Sequence, residues 1–262
     1  MDVTVFKLKK GEKPLDNINP TCGFAGIFRT VGVIGDSLSS GEFESHDQNG
    51  QVQYHDMYEY SWPSVLQRIT GTRYNNYSRG GMTAKEFVES WADANNFWQP
   101  NQAYIIALGN NDMFVFNHPM GSADDVSVSF PDTNPDTFFG NLGRIVSKLK
   151  TIQPRARIFL VTPQRRGEPC DVVTEEVARQ MAKVCDKFNN VFLVDMTTYG
   201  PVYDAEMRAD FAMGFHPNAM GYYAYALMIG NYIDYVVRSL PQKFFQLPFV
   251  GTDLKNNDAP QD

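Results

Sequence analysis

From residue 30 onward, short apolar runs alternate with stretches of helical periodicity. The runs 30–35, 103–108, 157–162 and 191–194 are continuous and rich in β-branched or aliphatic residues, with a weaker run at 73–77. Each reads as a strand buried on both faces. Between them, residues 61–70 place Trp62, Val65, Leu66 and Ile69 on one helical face, and Pro63 falls in the first turn, where it is tolerated. Residues 83–97 read as one helix, opened by Thr83 with Glu86 three residues on, the capping-box spacing. Residues 137–152 and 172–188 are helical, and a last long helix spans 217–240 with Pro217 at its start.

Strands alternating with helices imply a parallel sheet covered on both faces. Such sheets bind ligands beyond the carboxyl ends of their strands. Residues 1–28 show strand-like alternation at Val3 and Val5 and then a turn-rich stretch, which reads as an extension packed on the main domain, residues 29–240. The tail, residues 241–262, carries aromatic anchors at Phe244, Phe245 and Phe249 before a polar end. Residues 39–56 and 113–136 read as long polar loops at the edge of any site.

Composition narrows the function classes. At 262 residues, 43% hydrophobic and 20% charged, the chain suits one large α/β domain. The net charge of −7 has no basic stripe beside it, which argues against nucleic acid as a partner. Three cysteines without Cys-x-x-Cys spacing argue against a disulfide framework or a zinc site. His46, Asp47, His55 and Asp56 match no established ligand spacing, so no metal or cofactor is expected. No window is long and apolar enough for a signal core or a membrane span, so a cytoplasmic protein is expected, although a trimmed secreted form would read the same.

Polar clusters follow the strands. The first strand runs into Gly35-Asp36-Ser37-Leu38-Ser39, the second into Asn76 through Thr83, and the third into Gly109-Asn110-Asn111-Asp112. His216-Pro217-Asn218 precedes the last helix. Each alone is ordinary turn or cap chemistry. Together they supply the parts of acyl transfer: Ser37 as nucleophile, His216 as base, and the Ser37 N–H, Gly81 N–H and Asn111 amide as oxyanion donors. Glycine at 81 lets backbone approach a substrate.

In these four blocks, between about residues 30 and 222, the sequence resembles the SGNH hydrolases, or GDSL-type esterases and lipases. The resemblance implies a three-layer α/β/α sandwich with a five-stranded parallel sheet, flavodoxin-like in its winding. It also implies hydrolysis of esters or thioesters without a metal, with Gly81 and Asn111 in the oxyanion positions. Asp36 and Asp112 are expected to brace their loops.

The sequence departs from the family at one position. The family places an aspartate three residues before the histidine, where this chain has Met213. Three readings stand. A backbone carbonyl near Met213 or Gly214 holds His216 Nδ1 and leaves a Ser–His dyad. Asp210 swings in as a third member. Or the site is degraded and the protein is a non-catalytic carbohydrate-binding module. The first is preferred because it needs only a local hydrogen bond. Phe114, Phe116 and Arg165, with Arg166 beside it, are candidate substrate contacts. The polar loops favour a short acyl group on a polar or carbohydrate alcohol, with a lipid or thioester hydrolase as the rival.

Overall fold

The computed structural model describes residues 2–248. Five parallel strands form one sheet: β1 (Thr30–Gly35), β4 (Arg73–Asn76), β5 (Ala103–Ala107), β6 (Arg157–Val161) and β7 (Val191–Val194). Their spatial order is β4-β1-β5-β6-β7. Val33 pairs with Asn76 on one side and Ile105 on the other, and the register carries on through Ile106–Leu160 to Val161–Val194.

The strands read as continuous apolar runs because the sheet has a core on each face. Alternate side chains divide between them. Ile34, Tyr104, Ile106, Ile158 and Leu160 enter the core beneath α6 (Phe138–Ile152) and α7 (Cys170–Lys187). Val33, Ala103, Ile105, Phe159 and Val161 enter the opposite core, under α2 (Trp62–Thr70) and α10 (Ala219–Ser239). The result is the three-layer sandwich that the sequence led us to expect.

Side-chain caps set the helix starts. Ser61, Thr137 and Asn218 accept hydrogen bonds from Ser64, Gly140 and Gly221 N–H, satisfying first-turn donors of α2, α6 and α10. Thr83 likewise caps α3 (Ala84–Glu86). The capping box is only half made, because the Glu86 carboxylate pairs with Arg79. The single helix expected over 83–97 is instead α3, a π-helical turn over Phe87–Trp91, and α4 (Ala92–Ala94).

There are two further departures, the second of which bears on the site. The alternation at Val3 and Val5 forms no strand: Val3–Phe6 is an exposed 3-10 turn. The chain up to residue 28 packs on α10, where Asn231 bonds both backbone groups of Asn19 and Asp234 accepts from Phe24 N–H. Residues 39–56 are not an open loop. After α1 (Ser37–Ser40), the strands β2 (Glu42–His46) and β3 (Val52–Asp56) pair antiparallel as a hairpin.

In the tail, Phe244 is buried, stacks 5.1 Å from Phe192 and lies under the Arg157 guanidinium. Phe245 is 93% exposed and anchors nothing. Phe249 lies outside the described residues. Among the described residues, no helix is long and apolar enough to cross a membrane.

Candidate active site

The four polar blocks converge above the carboxyl ends of β1, β4 and β5. Asp36 follows β1 and caps α1, its Oδ1 accepting from Leu38 N–H at 3.0 Å. That cap turns the chain so that Ser37 begins the helix, where its own N–H is one of the donors a helix leaves unpaired. Asp36 is buried, and its Oδ2 meets no donor among the described residues. Burial pushes its carboxyl up to about 6. Asp112 braces the neighbouring loop by accepting from Ala84 N–H at 3.1 Å, and burial raises it likewise to about 6.

Ser37 Oγ lies 2.9 Å from His216 Nε2. His216 is held in β9 (His216–Pro217), which pairs with β8 (Ala212–Met213) after the short helices α8 (Met196–Tyr199) and α9 (Ala205–Phe211). Met213 pairs with His216 across this turn, with its side chain exposed. The position three residues before the histidine carries a thioether and gives the imidazole no carboxylate.

The partner of His216 Nδ1 is neither a backbone carbonyl nor Asp210. It is Glu44, whose Oε1 lies 2.6 Å from Nδ1. The same oxygen accepts from Phe215 N–H at 2.8 Å and His216 N–H at 3.1 Å. Gly214 has φ +67°, and a Cβ there would collide with the Glu44 carboxylate. The turn thus closes around the acid only with glycine in place. Asp210 is exposed on α9, and its backbone carbonyl accepts from the Asn218 amide. The dyad expectation and the Asp210 alternative are both corrected by this geometry.

Glu44 reaches the imidazole because β2 has period 2. Phe43 points to one face and packs 5.5 Å from Tyr222, while Tyr222 Oη donates to Glu42 C=O at 2.6 Å. That clamp turns Glu42 and Glu44 together to the other face. Glu42 Oε1 sits 3.2 Å from His216 Nε2, and burial raises its carboxyl above the ordinary range. Tyr54, opposite Glu44 on β3, stands edge-on to the imidazole at 5.8 Å.

The signal for this hairpin lay in Asn49-Gly50 between two alternating runs, a turn pair that favours hairpins. Asp47 completes the turn by accepting from Asn49 and Gln51 N–H.

The oxyanion candidates lie around the nucleophile's turn. Gly81 has φ +71°, and the direction a Cβ would take is open space. Asn111, on α5 (Asn110–Phe114), donates one Nδ2 proton to Met82 C=O at 3.1 Å, which fixes the amide and leaves its second proton available. Beside the nucleophile turn, a cavity of about 70 Å³ is lined by Asp36, Leu38, Asn110, Arg166, Tyr203 and Phe215 among others. Arg166 donates to Asn110 Oδ1 at 2.7 Å and lies over Phe114, 4.7 Å from the ring centre. Arg165, the arginine singled out from the sequence, does not line this cavity. Its carbonyl accepts from Tyr203 N–H. Phe116 is exposed and stacks on His118.

A parallel five-stranded sheet with serine, imidazole and carboxylate in series at its edge defines a class of hydrolase, and the sequence places the chain within it. Residues 33–224 match the model of the GDSL-like Lipase/Acylhydrolase family, and the chain belongs to that family. No curated protein matches it in sequence. Solved structures share the fold at low identity. A possible lipase from Chitinophaga pinensis is 18% identical, with a TM-score of 0.54 over 81% of this chain and 98% of that one. A carbohydrate esterase family 2 enzyme with a carbohydrate-binding domain, from Corynascus thermopiles, is 15% identical, with a TM-score of 0.54 over 82% and 67%. A carbohydrate esterase family 3 protein from Talaromyces cellulolyticus is 14% identical, with a TM-score of 0.51 over 81% and 98%.

Proposed function

We propose that the protein is a serine ester hydrolase that removes short acyl groups from a polar or carbohydrate alcohol. The observation that carries the reading is the unbroken line from Ser37 Oγ through His216 to Glu44, at 2.9 and 2.6 Å. Glu44 accepts a hydrogen bond from Nδ1–H, which leaves the Nε2 lone pair facing the serine hydroxyl.

In the first step Ser37 Oγ attacks the ester carbonyl carbon and His216 Nε2 takes its proton. Charge develops on the carbonyl oxygen, and the Ser37 N–H, Gly81 N–H and Asn111 amide stabilise it. Glu44 stabilises the imidazolium. His216 then gives the proton to the leaving alcohol oxygen as the carbon–oxygen bond breaks. In the second step His216 activates water, which attacks the acyl-serine. The acid departs and Ser37 recovers its proton.

The carbohydrate esterases among the structural relatives favour a sugar alcohol. The binding-module reading drew on the missing aspartate, and Glu44 removes that ground.

A fluorophosphonate probe tests the enzyme reading: Ser37 should be labelled in the native protein and not in His216→Ala. Absence of labelling in the native protein would defeat it. Rates on p-nitrophenyl esters of rising chain length test the acyl group, and activity increasing beyond butyrate would favour the lipid rival.

A further inference from the structure

Glu42 has no part in the acyl-transfer steps above, yet its carboxylate stands at the reacting nitrogen. One oxygen lies 3.2 Å from His216 Nε2. The other rests against Gly80, where a Cβ would collide with it, beside the Gly81 oxyanion position. We propose that Glu42 selects the alcohol, accepting a hydrogen bond from a hydroxyl on the carbon adjacent to the one that bears the ester oxygen and so favouring monoacyl esters of vicinal diols and sugars. This deepens the esterase reading and rests on it.

The placement follows from proton bookkeeping at His216. The leaving oxygen must come to Nε2 to collect its proton. A group within hydrogen-bonding distance of Nε2 is therefore on the alcohol side, within reach of a substituent one carbon further on. When Nδ1–H is held by Glu44, Nε2 carries a lone pair and has nothing to donate to Glu42 before attack. The Glu42 acceptors are then open to a donor on the substrate. The side chain is 15% exposed, so a bond made there is shielded from water. Asp56 and Glu44 add negative potential around it, which disfavours an anionic alcohol. Strand period explains the pairing of roles: Glu44 and Glu42, two residues apart on one face of β2, address the two nitrogens of one ring.

The test compares kcat/KM for 2-hydroxyethyl acetate and ethyl acetate in the full chain and in Glu42→Met and Glu42→Gln. Intrinsic differences between the two leaving groups are common to all three proteins and cancel. The native ratio should favour the hydroxyethyl ester. It should fall roughly ten- to a hundredfold in Glu42→Met, with Glu42→Gln between the two, because a neutral acceptor bonds more weakly than a carboxylate. A ratio unchanged within threefold in both variants overturns the proposal, and equal losses on both esters would make Glu42 a support for His216. A Ser37-labelled native protein without preference for the hydroxyethyl ester refutes the role of Glu42 alone. A native protein that neither labels nor cleaves either ester refutes the esterase reading beneath it.

Discussion

Removing Glu44 should separate this site from a Ser–His dyad. Its Oε1 is the acceptor for Nδ1 of His216 and for two backbone N–H groups, Phe215 and His216. In Glu44→Ala the imidazole loses the anion that fixes its tautomer and offsets its positive charge. In a serine protease, neutralising the equivalent carboxylate costs about four decades of turnover, or about 5.4 kcal/mol at 1.36 kcal/mol per decade. We expect three to four decades here in kcat/KM on p-nitrophenyl acetate. Glu44→Gln is the neutralising change itself: its amide can donate to Nδ1 and hold the wrong tautomer, so a comparable loss of three to four decades is expected. Asp210→Asn, exposed on α9, should stay within twofold of native. Alanine also leaves two backbone donors unpaired, at about 1–3 kcal/mol each, so urea unfolding must accompany the kinetics, with rates taken where every variant is folded. A Glu44→Ala enzyme within threefold of native would refute the reasoning, as would an Asp210→Asn loss as large as that of Glu44→Ala.

Asn111→Ala should lower kcat on the same ester by two to three decades with little change in KM, because the amide acts on charge that develops only in the transition state. A change confined to KM would remove Asn111 from that role. Asp36 has a folded value of about 6, raised by burial from 3.8, so the native state holds its proton where the unfolded chain has released it. Its stabilising contribution is full below about pH 4 and is lost as pH rises through about 6, a swing on the order of 3 kcal/mol. Asp36→Asn should therefore gain stability relative to native at about pH 7.5 compared with about pH 4, and a pH-independent difference in urea unfolding would contradict this. Phe244→Ala should destabilise the fold by about 3 kcal/mol or more through loss of its stack on Phe192, read as a lowered urea midpoint.

The sheet was legible because its strands are buried on both faces, and a run such as Tyr104, Ile105 and Ile106 leaves little room for another reading. The helices over 61–70 and 137–152 were legible from their periodic apolar faces, and the structure adds Ser61 and Thr137 as their caps. At residues 83–97 the same logic misled. Arg79 draws Glu86 out of the capping box, and a π-helical turn follows. Ser37, Gly81, Asn111 and His216 were visible as motifs, and the structure gathers them at one sheet edge. Glu44 was not visible, because its role depends on the hairpin bringing it to a residue 172 positions away. The polarity of residues 39–56 suggested solvent. Part of that polarity, Glu42 and Glu44, is turned inward toward a ring that needs it, while Phe43 between them packs against Tyr222. Pairing across distance is the information a linear pattern lacks, and Asn49-Gly50 was the local hint that a pairing existed.

Placing the acid on β2 also redistributes what each end of the chain must contribute. Nucleophile and acid lie seven residues apart near the start, and the late segment brings only the imidazole, clasped through its own backbone by the acid it serves. Two fragments divided in the 113–136 segment would each carry an incomplete set, the first with Ser37 and Glu44 and the second with His216. Recovered turnover on mixing them would then report reassembly of the whole sheet, making this arrangement a natural framework for a split-enzyme sensor.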